Sequence, residues 1–333
     1  MATLLKIFAH ADRFTTGIAL SAVLGLLLPC AGTAAVGFDW LTNAAIVLLF
    51  FLYGAKLSRE SVIAGLLHWR LQALVFFFTF VFFPLLIPLL QPFLVWLVGP
   101  ALYMGLVYVA CLPSTVQSSI AFTSVAGGNV PAAVCSASVS SLLGVFLTPL
   151  LVSLFFANAG NAGGAQVGLD TVLTICTQIL LPFILGQLSQ RWLRGWVQSH
   201  KKLIGWNDQV TIWLVVYTSF SKATVSGYWT QLEWLHLGGL IVACTAVLAV
   251  VQLGTYVSAR LLGFSREDRI TIVFCGSKKS LAVGAPMMMA IFGTLDNNLL
   301  LPLMIFHQVQ LMACAQLARL WQRKGAAADT GGY

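Results

Sequence analysis

Residues 272–281 read Ile272-Val273-Phe274-Cys275-Gly276-Ser277-Lys278-Lys279-Ser280-Leu281, and Gly284-Ala285-Pro286 follow closely. Two adjacent lysines between two serines stand in the middle of an apolar run spanning about 269–293. A lysine at a bilayer centre costs roughly 2.5–3.5 kcal/mol on insertion scales, and a polar cluster with glycine and proline does not continue an ordinary lipid-facing helix. The run therefore reads as a membrane span whose middle is unwound. An earlier stretch repeats the pattern. In Val107-Tyr108-Val109-Ala110-Cys111-Leu112-Pro113-Ser114-Thr115-Val116-Gln117-Ser118-Ser119 a proline is followed by five polar residues in six, inside an apolar run of about 100–126. A broken helix at membrane depth exposes backbone N–H and C=O groups, which must find a cavity, an ion or another helix.

The rest of the chain fits a membrane reading. Of 333 residues, 59% are hydrophobic and only 8% charged, whereas a soluble domain carries roughly a quarter charged residues. Further continuous apolar runs fall at about 14–29, 39–57, 70–91, 130–157, 168–189, 208–226, 235–262 and 297–320, giving ten spans with the two broken ones. Unbroken runs of about 20 residues are helices rather than barrel strands. A soluble catalytic domain has no room, and nucleic-acid binding is excluded.

The net charge of +8 is a topology signal. Lys6, Arg13, Lys56, Arg59, Arg70, Arg191, Arg194, Lys201, Lys202, Arg260, Arg266, Arg269, Arg319, Arg323 and Lys324 all fall on one side of a ten-span chain, whereas Asp39, Asp170, Glu233 and Asp296 mark the other. By the positive-inside rule both termini are cytoplasmic. The Pro29-Cys30-Ala31 sequence suits neither signal cleavage nor lipidation, so the first span is read as retained. Seven cysteines lie in or beside apolar spans with no CxxC pair and read as small hydrophobes.

The two interruptions fall in the second-to-last span of each five-span half, 14–157 and 168–320, with 321–333 left as a cytoplasmic tail. Interruptions at corresponding positions of two halves point to a transporter site built on inverted repeats. Lys56 and Lys222 form a further corresponding pair, open to a reading as snorkelling lysines. All ten acids lie at span ends, in loops or in tails, so no carboxylate is available to hold a hard cation or relay a proton at the core. One of Lys278 and Lys279 is expected to serve as a tethered cation and the other to pack on carbonyls or water. Candidate binding residues are Ser114, Thr115, Gln117, Ser118 and Ser119 in span four, Asn129, Ser136 and Ser138 in or before span five, Gly276, Ser277, Lys278, Lys279 and Ser280 in span nine, and His307 and Gln308 in span ten. Ser136, Ser140 and Gly144 recur every four residues, as do Gly17, Ser21 and Gly25; both are patterns of close helix packing.

The runs Leu112–Ser118, Gly127-Gly128-Asn129-Val130 and Phe274–Ser280 resemble the bile acid:sodium symporter superfamily, specifically its sodium-bile-acid-symporter-like branch, over almost the whole chain. The resemblance implies ten helices in two inverted five-helix repeats, a panel domain, and a core domain in which spans four and nine cross at their breaks. Better-known members bind sodium with a Glu and a Gln around the span-nine break. Gly276 and Ser280 match that pattern, but Phe274 stands at the Glu position and Lys278 at the Gln position. Sodium coupling is therefore expected to be weak or absent there, with a sodium ion conceivable only near Ser118, Ser119 and Ser138, and proton exchange at Lys278 as the other coupling. No resident cofactor is expected.

The expected function is secondary transport of a small anionic organic solute across the inner membrane by alternating access; the partners are the bilayer and that solute. An intramembrane serine hydrolase, with Ser277 or Ser118 as nucleophile and His307 as base, and a channel or regulatory scaffold are the alternatives.

Overall fold

The computed structural model describes residues 13–56, 68–157, 181–231, 234–292 and 296–330. Among them there is no strand. Helices α1 (Arg13–Leu27) and α2 (Gly32–Lys56) come first. α3 (Trp69–Phe77) runs through a π turn at Phe78–Phe82 into α4 (Phe83–Leu89), and α5 (Gln91–Cys111) follows. Next are α6 (Gln117–Val125), α7 (Val130–Ala157), α8 (Leu181–Ser199), α9 (Lys201–Val225) and α10 (Tyr228–Gln231). The chain continues with α11 (Trp234–Leu261), α12 (Arg266–Gly276), α13 (Leu281–Phe292) and α14 (Asn297–Thr330).

Among the described residues six helical stretches are long and apolar enough to cross a membrane: Gly32–Ala55, Trp69–Leu89, Gln91–Cys111, Val130–Phe156, Trp234–Leu261 and Asn297–Arg323. Large apolar side chains such as Leu150, Leu154, Leu253 and Leu188 lie exposed, a surface suited to lipid rather than water. The protein is an all-helical, multi-pass membrane protein. Of the other expected spans, the first is a helix of only 15 residues, the seventh lies in α9, which is long enough but too polar, the ninth is split at its break, and the start of the sixth lies outside the described residues, as do Lys6, Arg59, Asp170 and Glu233.

Several helices outrun the apolar runs that predicted them, because a helix does not stop where hydrocarbon stops. α2 begins at Gly32, whose φ of +60° makes the turn, so Asp39 sits inside a helix rather than at its start. α8 and α9 meet at His200, so Arg191 and Arg194 ride on a helix end and Lys201 opens the next. The expected tail is helical to Thr330. Pro286 lies within α13 instead of breaking it.

The chain forms two compact units. The first comprises α1, α2, α8, α9, α10 and the stretch from Ala285 to Leu300. In it α2 and α8 pack where glycine faces backbone: a Cβ on Gly54 would strike the Phe183 carbonyl, and one on Gly186 the Phe51 carbonyl. The Gly17/Gly25 stripe of α1 likewise receives Trp213 and Phe220 of α9. Lys222 does not merely snorkel, for its Nζ lies 2.9 Å from Asp39 Oδ1.

The second unit holds α3 to α7, α11, α12, the first residues of α13, and the chain from Leu301 onward. One cluster joins Leu71, Val75, Ala132, Ala133, Ala259, Ile272 and Cys275; another joins Ala126, Ile270, Phe274, Cys314 and Ala318. The stripe on α7 is used against the first break. Ser140 Oγ accepts from Ser114 N at 3.0 Å, and a Cβ on Gly144 would come within 2.6 Å of the Pro113 ring.

Candidate functional site: two helix breaks and two buried ammoniums

Both predicted breaks are present. α5 ends at Cys111 and α6 begins at Gln117; α12 ends at Gly276 and α13 begins at Leu281. They meet inside the second unit, where Ser280 N donates to Pro113 O at 2.9 Å and the Tyr108 hydroxyl donates to Gly284 O at 2.7 Å. A helix end leaves its last carbonyls without intrahelical partners, and here several are taken up by side chains from elsewhere in the unit. Ala110 O and Leu112 O accept from Lys279 Nζ at 2.7 and 2.8 Å, and Cys111 O accepts from the Thr148 hydroxyl at 2.8 Å.

Lys279 is the lysine on carbonyls. Its third N–H reaches Thr79 O at 2.7 Å, so all three donors of the ammonium are used. Thr79 belongs to the π turn, which widens the helix and frees a carbonyl for an outside donor; its own hydroxyl bonds back to Val75 O. The Phe83 ring closes a fourth side, its centroid 4.5 Å from Nζ. The backbone of Lys279 is held as firmly, since its N–H donates to Gln310 Oε1 at 2.8 Å and its carbonyl accepts from Gln310 Nε2 at 2.7 Å.

Lys278 is equally buried but poorly satisfied. Among the described residues its one hydrogen-bonding contact is with Ser118 Oγ at 3.5 Å, longer than an ordinary N–H···O bond. Its ammonium otherwise faces aromatic rings, 4.5 Å from the centroid of Phe122 and 5.4 Å from that of Phe274. The lysines diverge because Ser277–Ser280 are not helical. Around Ser118 the hydroxyls are strung together: Ser118 Oγ to Thr115 Oγ1 at 2.8 Å, Thr115 Oγ1 to Ser119 Oγ at 3.0 Å, and Ser119 Oγ to Phe274 O at 3.1 Å.

The other candidates scatter. Ser277 Oγ bonds back to Val273 O, and Ser280 Oγ caps α13 by accepting from Val283 N. The absent side chain of Gly276 admits Thr255, whose Cγ2 would lie 3.2 Å from a Cβ there. Gln117 is exposed at the start of α6. The hydroxyls of Ser114 and Ser136 are buried with no partner among the described residues. Ser138 does not join Ser118 and Ser119, because its hydroxyl turns back to Val134 O.

Asn129 is a latch rather than part of this cluster. Its Nδ2 donates to Asp268 Oδ1 at 2.8 Å and its Oδ1 accepts from Ala132 N. Its backbone also joins Glu267 O and the Thr271 hydroxyl. His307 Nδ1 lies 2.9 Å from Gln310 Nε2, while half-buried Gln308 makes none of these bonds. Sequence reasoning missed Gln310, Thr79 and Phe122. Gln310 was visible as a polar residue in an apolar helix; the π turn, inside a phenylalanine-rich apolar run, left no signal.

An all-helical membrane protein with two helix breaks meeting around buried ammoniums has the makings of a carrier, and the comparisons agree. Residues 12–323 match the SBF-like CPA transporter family, and the chain belongs to that family. It is 55% identical over 314 residues to protein PA2026 of Pseudomonas aeruginosa (strain PAO1), covering 94% of this chain and 93% of that one. It is 51% identical over 321 residues to YfeH of Escherichia coli (strain K12), a protein provisionally named a symporter, covering 96% of each. Sodium/bile acid cotransporter 7 of Danio rerio is 30% identical over 309 residues, covering 90% of each. The protein is thus a transporter and not an enzyme, which removes the hydrolase reading.

Proposed function

We propose that this protein is a secondary transporter that carries a small anionic organic solute across the inner membrane by alternating access. The observation that carries the reading is Lys278: a fully buried ammonium, beside two helix breaks, whose one hydrogen-bonding contact among the described residues is a hydroxyl at 3.5 Å. A buried charge with no counter-charge is costly, and a carboxylate or similar anion would relieve it through charge-assisted hydrogen bonds. Ser118 and Gln117, at the N-terminus of α6, add donors where a helix end favours negative charge. The names of the cotransporter relatives support solute symport in this family.

In this reading ten spans form two inverted five-helix repeats, 14–157 and 168–320, and the two compact units correspond to panel and core. Both termini are cytoplasmic, in keeping with the one-sided basic residues. Sodium is a weak or absent coupling ion at the second break, since Lys278 already places a cation there; proton exchange at Lys278 is the alternative coupling.

The test is a screen of purified protein for thermal stabilisation by small organic anions, repeated on Lys278→Ala. A ligand at one hundred times its Kd stabilises by about 2.7 kcal/mol. The anions that stabilise the wild type should lose at least tenfold in affinity with Lys278→Ala while the unliganded variant stays folded. Stabilising anions that bind both proteins equally would refute the role of Lys278.

A further inference from the structure

We propose that the carbonyls of Thr79, Ala110 and Leu112 form a monovalent-cation site whose resident cation is the protein's own Lys279 ammonium, and that the vacated site accepts an alkali ion. The three oxygens come from two different irregularities, the π turn after α3 and the end of α5, yet they converge on one nitrogen at 2.7, 2.7 and 2.8 Å. Ala110 is in the last turn of α5 and Leu112 caps it, where the helix dipole places partial negative charge. Rings of such carbonyls replace the water of a monovalent cation in channel filters. Phe83, with its ring centroid 4.5 Å from the nitrogen, adds the face of a π system, which also favours a cation.

Lys279 fits this site as a ligand fits its receptor. It is held at both ends: Gln310 clamps its backbone N–H and carbonyl, and the carbonyls take its ammonium. Lys278, one residue away, has nothing comparable, so the arrangement is not a general consequence of burying a lysine at this break. Truncation at Cβ would leave three inward-facing oxygens around a cavity of roughly the side chain's own volume, open to a small cation with water completing its shell. A covalently tethered cation also makes the site independent of ion concentration, which an exchangeable ion cannot.

The experiment uses the full-length protein in detergent, at fixed ionic strength in choline, sodium, potassium or propylammonium chloride, with thermal unfolding as the readout. It is separate from any transport assay, so it stands or falls apart from the transport reading. Wild type and Lys278→Ala should each unfold at a temperature that does not change among the four salts. Lys279→Ala should be destabilised in choline and recover half or more of the lost Tm, saturably, in sodium or potassium. Lys279→Met, which fills the cavity without charge, should be destabilised in every salt. The proposal is overturned if Lys279→Ala unfolds alike in all salts, if it yields no folded protein in any of them, or if propylammonium alone restores it. A Lys279→Met protein as stable as wild type also overturns it, since the carbonyls then need no cation.

Discussion

Replacing Gln310 with leucine tests whether the second break is held in place by one side-chain amide. In the native protein that amide accepts from Lys279 N at 2.8 Å and donates to Lys279 O at 2.7 Å, and all of these groups are buried. Leucine has nearly the right volume, so little cavity forms; what is lost is pairing. Each buried backbone group left unpaired costs about 1–3 kcal/mol, which gives roughly 2–6 kcal/mol for the two. At about 2.1 cal/mol/K of unfolding entropy per residue, a chain of this length loses roughly 1.4 °C per kcal/mol, so Tm should fall by about 3–9 °C. Gln310→Glu retains the acceptor and loses the donor, and should fall between wild type and leucine. Gln308→Leu, two residues away and outside the network, should remain within about 0.5 kcal/mol of wild type. Tryptophan fluorescence during heating of the detergent-purified protein reads all four. Equal Tm values for Gln310→Leu and Gln308→Leu would refute the clamp.

Asn129→Ala should cost about 1–2 kcal/mol, because Asn129 caps α7 through Ala132 N; in a double-mutant cycle with Asp268→Ala the two should couple by at least 0.5 kcal/mol, and strict additivity would deny the latch. Gly144→Ala drives a Cβ into the Pro113 ring and should destabilise by about 1–3 kcal/mol, relieved when Pro113 is also replaced by alanine; an unchanged Tm in the single variant would contradict the close approach. Cysteines introduced at 202 and 230 in a cysteine-free background should differ in labelling by an impermeant reagent in intact cells, with 230 reactive and 202 silent; the reverse pattern would invert the topology. In proteoliposomes, uptake of an identified substrate should respond weakly to an imposed sodium gradient and more to a proton gradient; a steep sigmoidal sodium dependence would contradict the cation-filled core.

Breaks were legible in the sequence because they are chemical. Pro113 with the hydroxyls after it, and Gly276 with two lysines after it, announce backbone that cannot remain helical in lipid. The division of labour between Lys278 and Lys279 was not legible, because it depends on where carbonyls from α3 and α5 converge. Of the three acceptors, Thr79 O belongs to a π turn inside Phe76-Phe77-Phe78-Thr79-Phe80-Val81-Phe82-Phe83, where every position is apolar or nearly so and no periodicity marks an inserted residue. Asn129 was legible as a polar residue in a glycine turn but not as a latch, since Asp268 lies 139 positions away. Asp39 was placed at the edge of a span because hydropathy senses lipid rather than helix ends, and its pairing with Lys222 joins residues remote in sequence.

The contrast between the two lysines supplies the last step. A buried ammonium with three short bonds to carbonyls is a finished structure; a buried ammonium with one long contact to a hydroxyl and two aromatic faces is an unfinished one. No carboxylate lies in this cluster among the described residues, so nothing in it neutralises either charge. A sodium ion brought within about 4 Å of Lys278 would meet roughly 4 kcal/mol of repulsion at an effective dielectric of about 20, close to three decades in affinity. An anion at the same place would gain a comparable attraction. The asymmetry in sign is the argument for an anionic solute: the core already contains its cations, and the partner that completes Lys278 is a negative one.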